Sequence, residues 1–154
     1  MLTEQERKEI DEELAKYDKK RAADVEALKI VQNHRGWISD ESLRDVARYL
    51  DMTVDELDSV GTCYNYIFRK PVGRHIIRIC DSISCWIVGY EPILRHIERR
   101  LGILPGQTTD DGRFTLLPAA CLGACDKGPV MMVNDQLYVE LTVTKVNEIL
   151  DRYR

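Results

Sequence analysis

Apolar side chains recur at helical spacing through the first part of the chain. Thr3-x-x-Glu6 is a capping box, and the helix it opens carries Ile10, Leu14 and Tyr17 on one stripe. A second pattern runs from Arg21 to His34 with Ala22, Val25, Leu28 and Val31 in phase, and Gly36 stops it. Asp40 is the expected cap of a third helix with Leu43, Val46, Ala47 and Leu50 on its apolar side. Thr53-x-x-Glu56 forms another capping box with Leu57 and Val60 behind it. These four helices predict a small antiparallel bundle over residues 1–72.

The period changes after Arg69-Lys70-Pro71-Val72-Gly73, a predicted linker in which proline and glycine break the helix. His75 to Cys80 alternates about Ile77 and Ile79 as a strand ending in a cysteine. Gly89 to Leu101 reads as a helix with Pro92 admissible only in the first turn, and Gly102 ends it. Asp110-Asp111-Gly112 turns into a strand over Arg113 to Leu117. Pro129 to Val133, the Asn134-Asp135 turn and Gln136 to Leu141 read as a hairpin. Thr142 caps a final helix with Val146, Ile149, Leu150 and Tyr153. The order β-α-β-β-β-α predicts a thioredoxin-like α/β domain over residues 73–154, so the whole chain is α+β.

Chemistry concentrates in two loops, Cys80-Asp81-Ser82-Ile83-Ser84-Cys85 and Cys121-Leu122-Gly123-Ala124-Cys125. Four thiols delivered as C-x4-C and C-x3-C match the ligand count of a four-cysteine site. Structural zinc takes such a set, and disulfides are a further use of paired cysteines. A 2Fe-2S cluster suits the pairing because each iron needs two thiolates besides the bridging sulfides. Gly123 and the Gly128-Pro129 turn let backbone N–H groups approach sulfur closely. The C-x-x-C of a thiol–disulfide oxidoreductase is absent from the sequence.

Cys63 stands apart from the loops and is expected to be buried as a small hydrophobe. His34, His75 and His96 also lie outside them, which argues against Rieske-type histidine ligation. Trp37 is expected between helices. Trp86 adjoins Cys85 and reads either as a shield for the site or as plain core packing. No glycine-rich phosphate loop is present, and Gly102 to Gly112 lacks the spacing of a dinucleotide fingerprint, so no nucleotide site is expected in this chain.

Composition narrows the setting. The chain has 154 residues, 44% apolar and 31% charged, as a globular protein does. A net charge of −4 gives no electrostatic support for a nucleic-acid partner. No apolar run reaches the ~20 residues of a membrane span, so direct membrane insertion is not expected. The polar, acidic start Met-Leu-Thr-Glu-Gln-Glu-Arg does not read as a signal peptide. Five cysteines in such a chain point to a reducing compartment. The charged run from Glu4 to Lys16 reads as a solvated face.

Arg74 to Trp86 (RHIIRICDSISCW) and the run GQTTDDGRFTLLPAACLGACDKGPVMMVND resemble the E subunits of bacterial NADH–quinone oxidoreductase, respiratory complex I. The resemblance continues upstream through RAADVEALKIVQNHRGWISD and VGTCYNYIFRKPVGRH. It implies a thioredoxin-like fold, a 2Fe-2S cluster and Cys80, Cys85, Cys121 and Cys125 as its ligands. It further implies an electron-transfer subunit of an oxidoreductase and translocase, with no complete active site of its own. FMN and NADH would sit on a partner subunit. Other iron–sulfur subunits of the NADH dehydrogenase module would be neighbours, and the helical bundle would lie against partners. The complex would be peripheral on the cytoplasmic side of the bacterial inner membrane. Related chains serve NAD-linked hydrogenases and formate dehydrogenases, so a diaphorase subunit is the alternative. A zinc-stapled interaction module is another.

Overall fold

Local capping chemistry starts three of the first four α-helices of the chain. The computed structural model describes residues 1–153 and divides into two compact units, Met1–Pro71 and the part from Val72 onward. In the first unit, α1 (Glu4–Leu14) and α4 (Val54–Cys63) open on the two capping boxes, Thr3 with Glu6 and Thr53 with Glu56. Between them lie α2 (Asp24–Arg35) and α3 (Asp40–Tyr49). Ile10, Leu28, Val31, Ile38, Leu43, Val46, Leu50 and Leu57 form its core.

Several boundaries differ from the sequence pattern. Tyr17 lies beyond the end of α1 and is exposed, because the last turn closes at Ala15. A 3-10 turn over Lys20–Ala23 precedes α2, which shifts the buried stripe to Ala23, Ala27, Leu28 and Val31. Ser39, rather than Asp40, caps α3 by accepting from the Ser42 N–H. Cys63 is exposed at the end of α4, contrary to the expectation of a buried small hydrophobe. Trp37 is half-buried. Arg69 belongs to the bundle's own bonding rather than to a free linker: it donates to Asp58 and Asp40, each at 2.8 Å, and to the Ile38 carbonyl.

Glu6 ties the bundle together. It is 1% exposed, accepts the Thr3 N–H at 2.7 Å and takes two Arg35 N–H groups at 2.6 and 2.7 Å. Arg35 reaches on to the Ser42 hydroxyl at 3.0 Å, linking α1, α2 and α3. A carboxylate this deep is tolerable because three N–H donors, two of them from a guanidinium, meet its oxygens.

The second unit is built on a four-stranded sheet of order β2-β1-β3-β4. Its elements are β1 (His75–Cys80), α5 (Ile83–Ile87), α6 (Tyr90–Leu101), β2 (Phe114–Ala119), β3 (Met131–Val133), β4 (Gln136–Tyr138) and α7 (Val143–Arg152). Ile77, Ile79, Phe114, Leu116, Met131 and Val133 from the sheet meet Ile93, Ile97, Val146 and Ile149 from α6 and α7. Ile76, Arg78 and Cys80 are buried as well, so both sides of the central strand β1 are covered and the simple alternation does not apply. Strand β2 runs on through Pro118 to Ala119. It is an edge strand, where proline costs no ladder bond. The final hairpin strands are shorter than their apolar runs, and Tyr153 lies just past α7, hydrogen-bonded to Tyr138 at 2.8 Å.

Gly73 illustrates a position fixed by close approach. A Cβ there would fall 2.9 Å from the Phe114 carbonyl carbon and 3.0 Å from the Gly112 oxygen, both backbone atoms that cannot step aside. The absent side chain lets the chain enter β1 alongside β2.

Candidate metal centre

The parallel pairing of β1 and β2 explains how two distant cysteine loops meet. Cys80 is registered against Ala119, so both strands end at the same edge and both loops begin there. The Asp81 N–H donates to the Ala119 carbonyl at 3.0 Å, and the Cys80 N–H donates to Val130 at 3.0 Å, fastening the segment before β3 to the same edge. The first loop folds at once into α5, which brings Cys85 into one buried cluster with Cys80 and Val130. Cys80 and Cys85 are 2% and 1% exposed, packed with Val130 and flanked by Tyr90, Leu122, Ala124, Leu137 and Val139. Gly128 fits against this helix: its missing Cβ would come 3.5 Å from Cys85 Sγ and 2.7 Å from Val88.

The second loop is open. Cys121 and Cys125 are exposed, and their sulfurs are 3.1 Å apart. Gly123, at φ 86°, turns the loop back so that its N–H donates to Cys121 Sγ at 3.3 Å.

Hydrogen bonds run between the loops. The Cys80 Sγ lies 3.1 Å from the Ser82 hydroxyl. Burial works against ionisation of Cys80, but donors from the Ser82 hydroxyl and N–H and from the Leu122 N–H outweigh it and hold its pKa below the ordinary thiol value. Burial, together with the neighbouring Cys80 sulfur, pushes Cys85 up to about 11. In the open loop, the hydrogen bond from Cys125 and the Gly123 N–H lower Cys121, and the same bond raises Cys125. The Ser82 hydroxyl also helps to lower Cys121, and the Ser84 hydroxyl opposes the rise of Cys125, so hydroxyls of the first loop act on sulfurs of the second.

The four predicted cysteines thus stand together as two pairs, each surrounded by N–H and O–H donors. Among the described residues, no group of three His, Cys, Asp or Glu side chains is gathered to hold a single ion. Two thiol pairs with sulfur-directed donors fit the donor set of a binuclear iron–sulfur cluster, which takes two thiolates on each iron. The histidines are engaged elsewhere: His34 with Glu9, His75 with Asn134 and His96 with Asn147. The pattern of cysteines did not disclose α5 or the serine donors. The Asp-Ser-Ile-Ser segment between Cys80 and Cys85 carried the signal, since short hydroxyl side chains beside a thiol are ready donors.

Trp86 is 56% exposed, which overturns plain core packing. It shares the outer side of α5 with Ile83 and Ile87, 67% and 70% exposed, and Val88 follows at 53%.

Parallel strands that release two two-thiol loops at one sheet edge give a thioredoxin-like domain with its four thiols at the strand ends. The sequence profile of the thioredoxin-like 2Fe-2S ferredoxins matches residues 10–154. The E subunit of the NADH-quinone oxidoreductase of Escherichia coli is 49% identical over 153 residues, 99% of this chain and 92% of that protein. Its counterpart in Pseudomonas aeruginosa is 46% identical with the same coverage. An NAD+-reducing NiFe-hydrogenase in its air-oxidised state shares the fold with a TM-score of 0.72 at 21% identity, over 85% of this chain and 22% of that one. The chain belongs to the family of NADH-quinone oxidoreductase E subunits, within the thioredoxin-like 2Fe-2S ferredoxins. It is an α+β electron-transfer subunit of the 2Fe-2S class.

Proposed function

We propose that Cys80, Cys85, Cys121 and Cys125 hold one 2Fe-2S cluster and that the chain is the single-electron carrier beside the flavin of a respiratory NADH–quinone oxidoreductase. The observation that supports this most directly is the meeting of two thiol pairs at one sheet edge. Bound there, the cluster supplies a reversible one-electron couple. The chain's own residues do the rest. Thiolates anchor the group, and the N–H groups of Leu122, Gly123 and Val130 offset negative charge on sulfur. Tyr90, Val130, Leu137 and Val139 keep water from the buried pair.

In this reading a partner subunit binds NADH and FMN, and the chain receives electrons from that flavin one at a time. Further iron–sulfur subunits of the same module adjoin it, at the cytoplasmic side of a bacterial inner membrane. Among the described residues no helix is long and apolar enough to cross a membrane, so attachment would run through other subunits. The outer side of α5 favours a protein partner close to the thiols. Ile83, Trp86, Ile87 and Val88 are large apolar side chains, each more than half exposed, on and just after the helix that carries Cys85. Relatives at 46–49% identity bear the name of the respiratory subunit, whereas the hydrogenase likeness is one of fold. That ordering favours the respiratory complex over a diaphorase role.

Anaerobic reconstitution tests the reading. The expected product is brown, contains two irons and two sulfides per chain, and gives an EPR signal only when reduced. Alone it should not oxidise NADH; assembled with a flavin-bearing partner, it should be reduced by NADH. A colourless protein with one tightly held zinc would replace the carrier with a zinc-stapled module.

A further inference from the structure

The two thiol pairs differ in what can reach them. Cys80 and Cys85 lie under Val130, Tyr90 and Leu122, nearly sealed from solvent. Cys121 and Cys125 are exposed, and the loop already holds their sulfurs 3.1 Å apart. A disulfide bond needs about 2 Å, a closure of roughly 1 Å. Residues Ala120 to Ala124 are neither helix nor strand, and Cys125 only opens a three-residue 3-10 turn, Cys125–Lys127, so little regular structure opposes that closure. Burial protects the first pair from dissolved disulfides, because exchange requires one sulfur to reach another.

We propose that, in the cluster-free chain, Cys121 and Cys125 form a redox-modification site that small disulfides such as oxidised glutathione close into an intraloop disulfide, while Cys80 and Cys85 stay reduced. One exposed thiolate attacks a sulfur of the small disulfide, forming a mixed disulfide and releasing one small thiolate. The other protein thiol loses its proton to water and attacks the protein-side sulfur, releasing the second small thiolate. Two protein thiols are oxidised and one small disulfide is reduced to two thiols, so atoms and electrons balance. A closed loop has no thiolates to offer a metal. Oxidation therefore gates cluster loading, reversibly; this consequence rests on the four-cysteine reading, whereas the disulfide itself does not.

The sequence makes the test simple. Trypsin leaves Cys121 and Cys125 together in FTLLPAACLGACDK, and Cys80 and Cys85 together in ICDSISCWIVGYEPILR. The full-length cluster-free chain is equilibrated with graded ratios of oxidised to reduced glutathione, denatured, alkylated and digested. The expected result is that FTLLPAACLGACDK loses two hydrogens and escapes alkylation at ratios where the other peptide still carries two alkyl groups. The Cys63→Ser chain should behave identically. Simultaneous oxidation of both peptides, earlier oxidation of the Cys80 peptide, or a cross-link between the two would overturn the proposal. In a second arm, the oxidised chain is offered iron and sulfide without added thiol, and the loop disulfide is followed in the same samples by alkylation, because sulfide can itself open a disulfide; uptake that tracks its opening supports the gate. No uptake until a thiol reductant is added supports the gate. Full uptake with the disulfide still closed would overturn the gate and count against the four-cysteine site, while leaving the modification itself established.

Discussion

The helical unit and the sheet unit are stabilised by different chemistry. Through Pro71 the chain carries 12 basic and 16 acidic side chains, against 10 of each from Val72 onward, so the whole net charge of −4 belongs to the helices. The helical unit joins its elements with charged ties, above all Glu6 to Arg35 and Arg69 to Asp58 and Asp40. The sheet unit relies on an apolar core and places its polar donors at the cysteine edge. The lesson is a division of labour: one unit uses charged ties as mortar, and the other sets polar donors where negative sulfur must be held.

The largest test of that division compares cysteines across the units. Replacing Cys80, Cys85, Cys121 or Cys125 with Ser should abolish or severely reduce iron binding, because an iron loses one of its two thiolates. Cys63→Ser, in the helical unit, should retain full iron and sulfide content, since Cys63 is an exposed residue ending α4. Iron and sulfide analysis of the five variants reads this directly. Loss of iron from the Cys63 variant would erase the division.

The next effect is confined to the helices. Hydrogen bonds from Arg35 hold the Glu6 carboxylate down to about 2 from an ordinary 4.5, with burial opposing and the Thr3 N–H assisting. The folded chain thus binds this proton less readily than the unfolded chain. The resulting stability is present above about pH 4.5 and is lost as pH falls towards 2. A difference of this size corresponds to at most about 3 kcal/mol, and Glu6→Gln should cost on the order of 2–3 kcal/mol at neutral pH. Urea unfolding followed by helical circular dichroism should show the gap between the two chains narrowing as pH falls below about 4.5. A gap that stays constant from neutral pH to about pH 2 would mean that packing, rather than the charged tie, sets the loss.

The sequence exposed short-range structure more fully than long-range bonding. Both capping boxes, β1 and the Thr142-capped helix α7 could be read because each depends on residues a few positions apart. The cysteine spacing likewise pointed to paired thiols. By contrast, α5 is only five residues long, too short for a helical period to register. The reach of Arg35 to Glu6 spans 29 positions, and no local pattern announces it. Pro118 reads locally as the end of a strand, and only the topology, which puts that strand at the sheet edge, admits it. The exposure of Cys63 could not be read because residue type gives only an average tendency, and the end of α4 faces solvent here.

The smallest expected effect separates shielding from docking within the sheet unit. If Trp86 were the lid over the thiols, its removal would admit water, favour the more negative reduced state and raise the midpoint potential by tens of millivolts or so. The buried pair already has other cover in Val130, Tyr90, Leu122, Leu137 and Val139. Trp86 instead lies with Ile83 and Ile87 on an apolar, exposed helix side. Trp86→Ala should therefore leave the potential of the isolated, reconstituted chain within about 10 mV, a small change beside the ~59 mV that equals a tenfold shift in a one-electron equilibrium. The same substitution should weaken association with the flavin-bearing partner by about tenfold, as loss of an interfacial tryptophan commonly does. EPR-monitored redox titration of the isolated chain and affinity measurement with the partner divide the possibilities. A raised potential with unchanged affinity restores the lid, a lowered potential identifies the indole N–H as a donor to sulfur, and weakened association at constant potential makes Trp86 a contact residue.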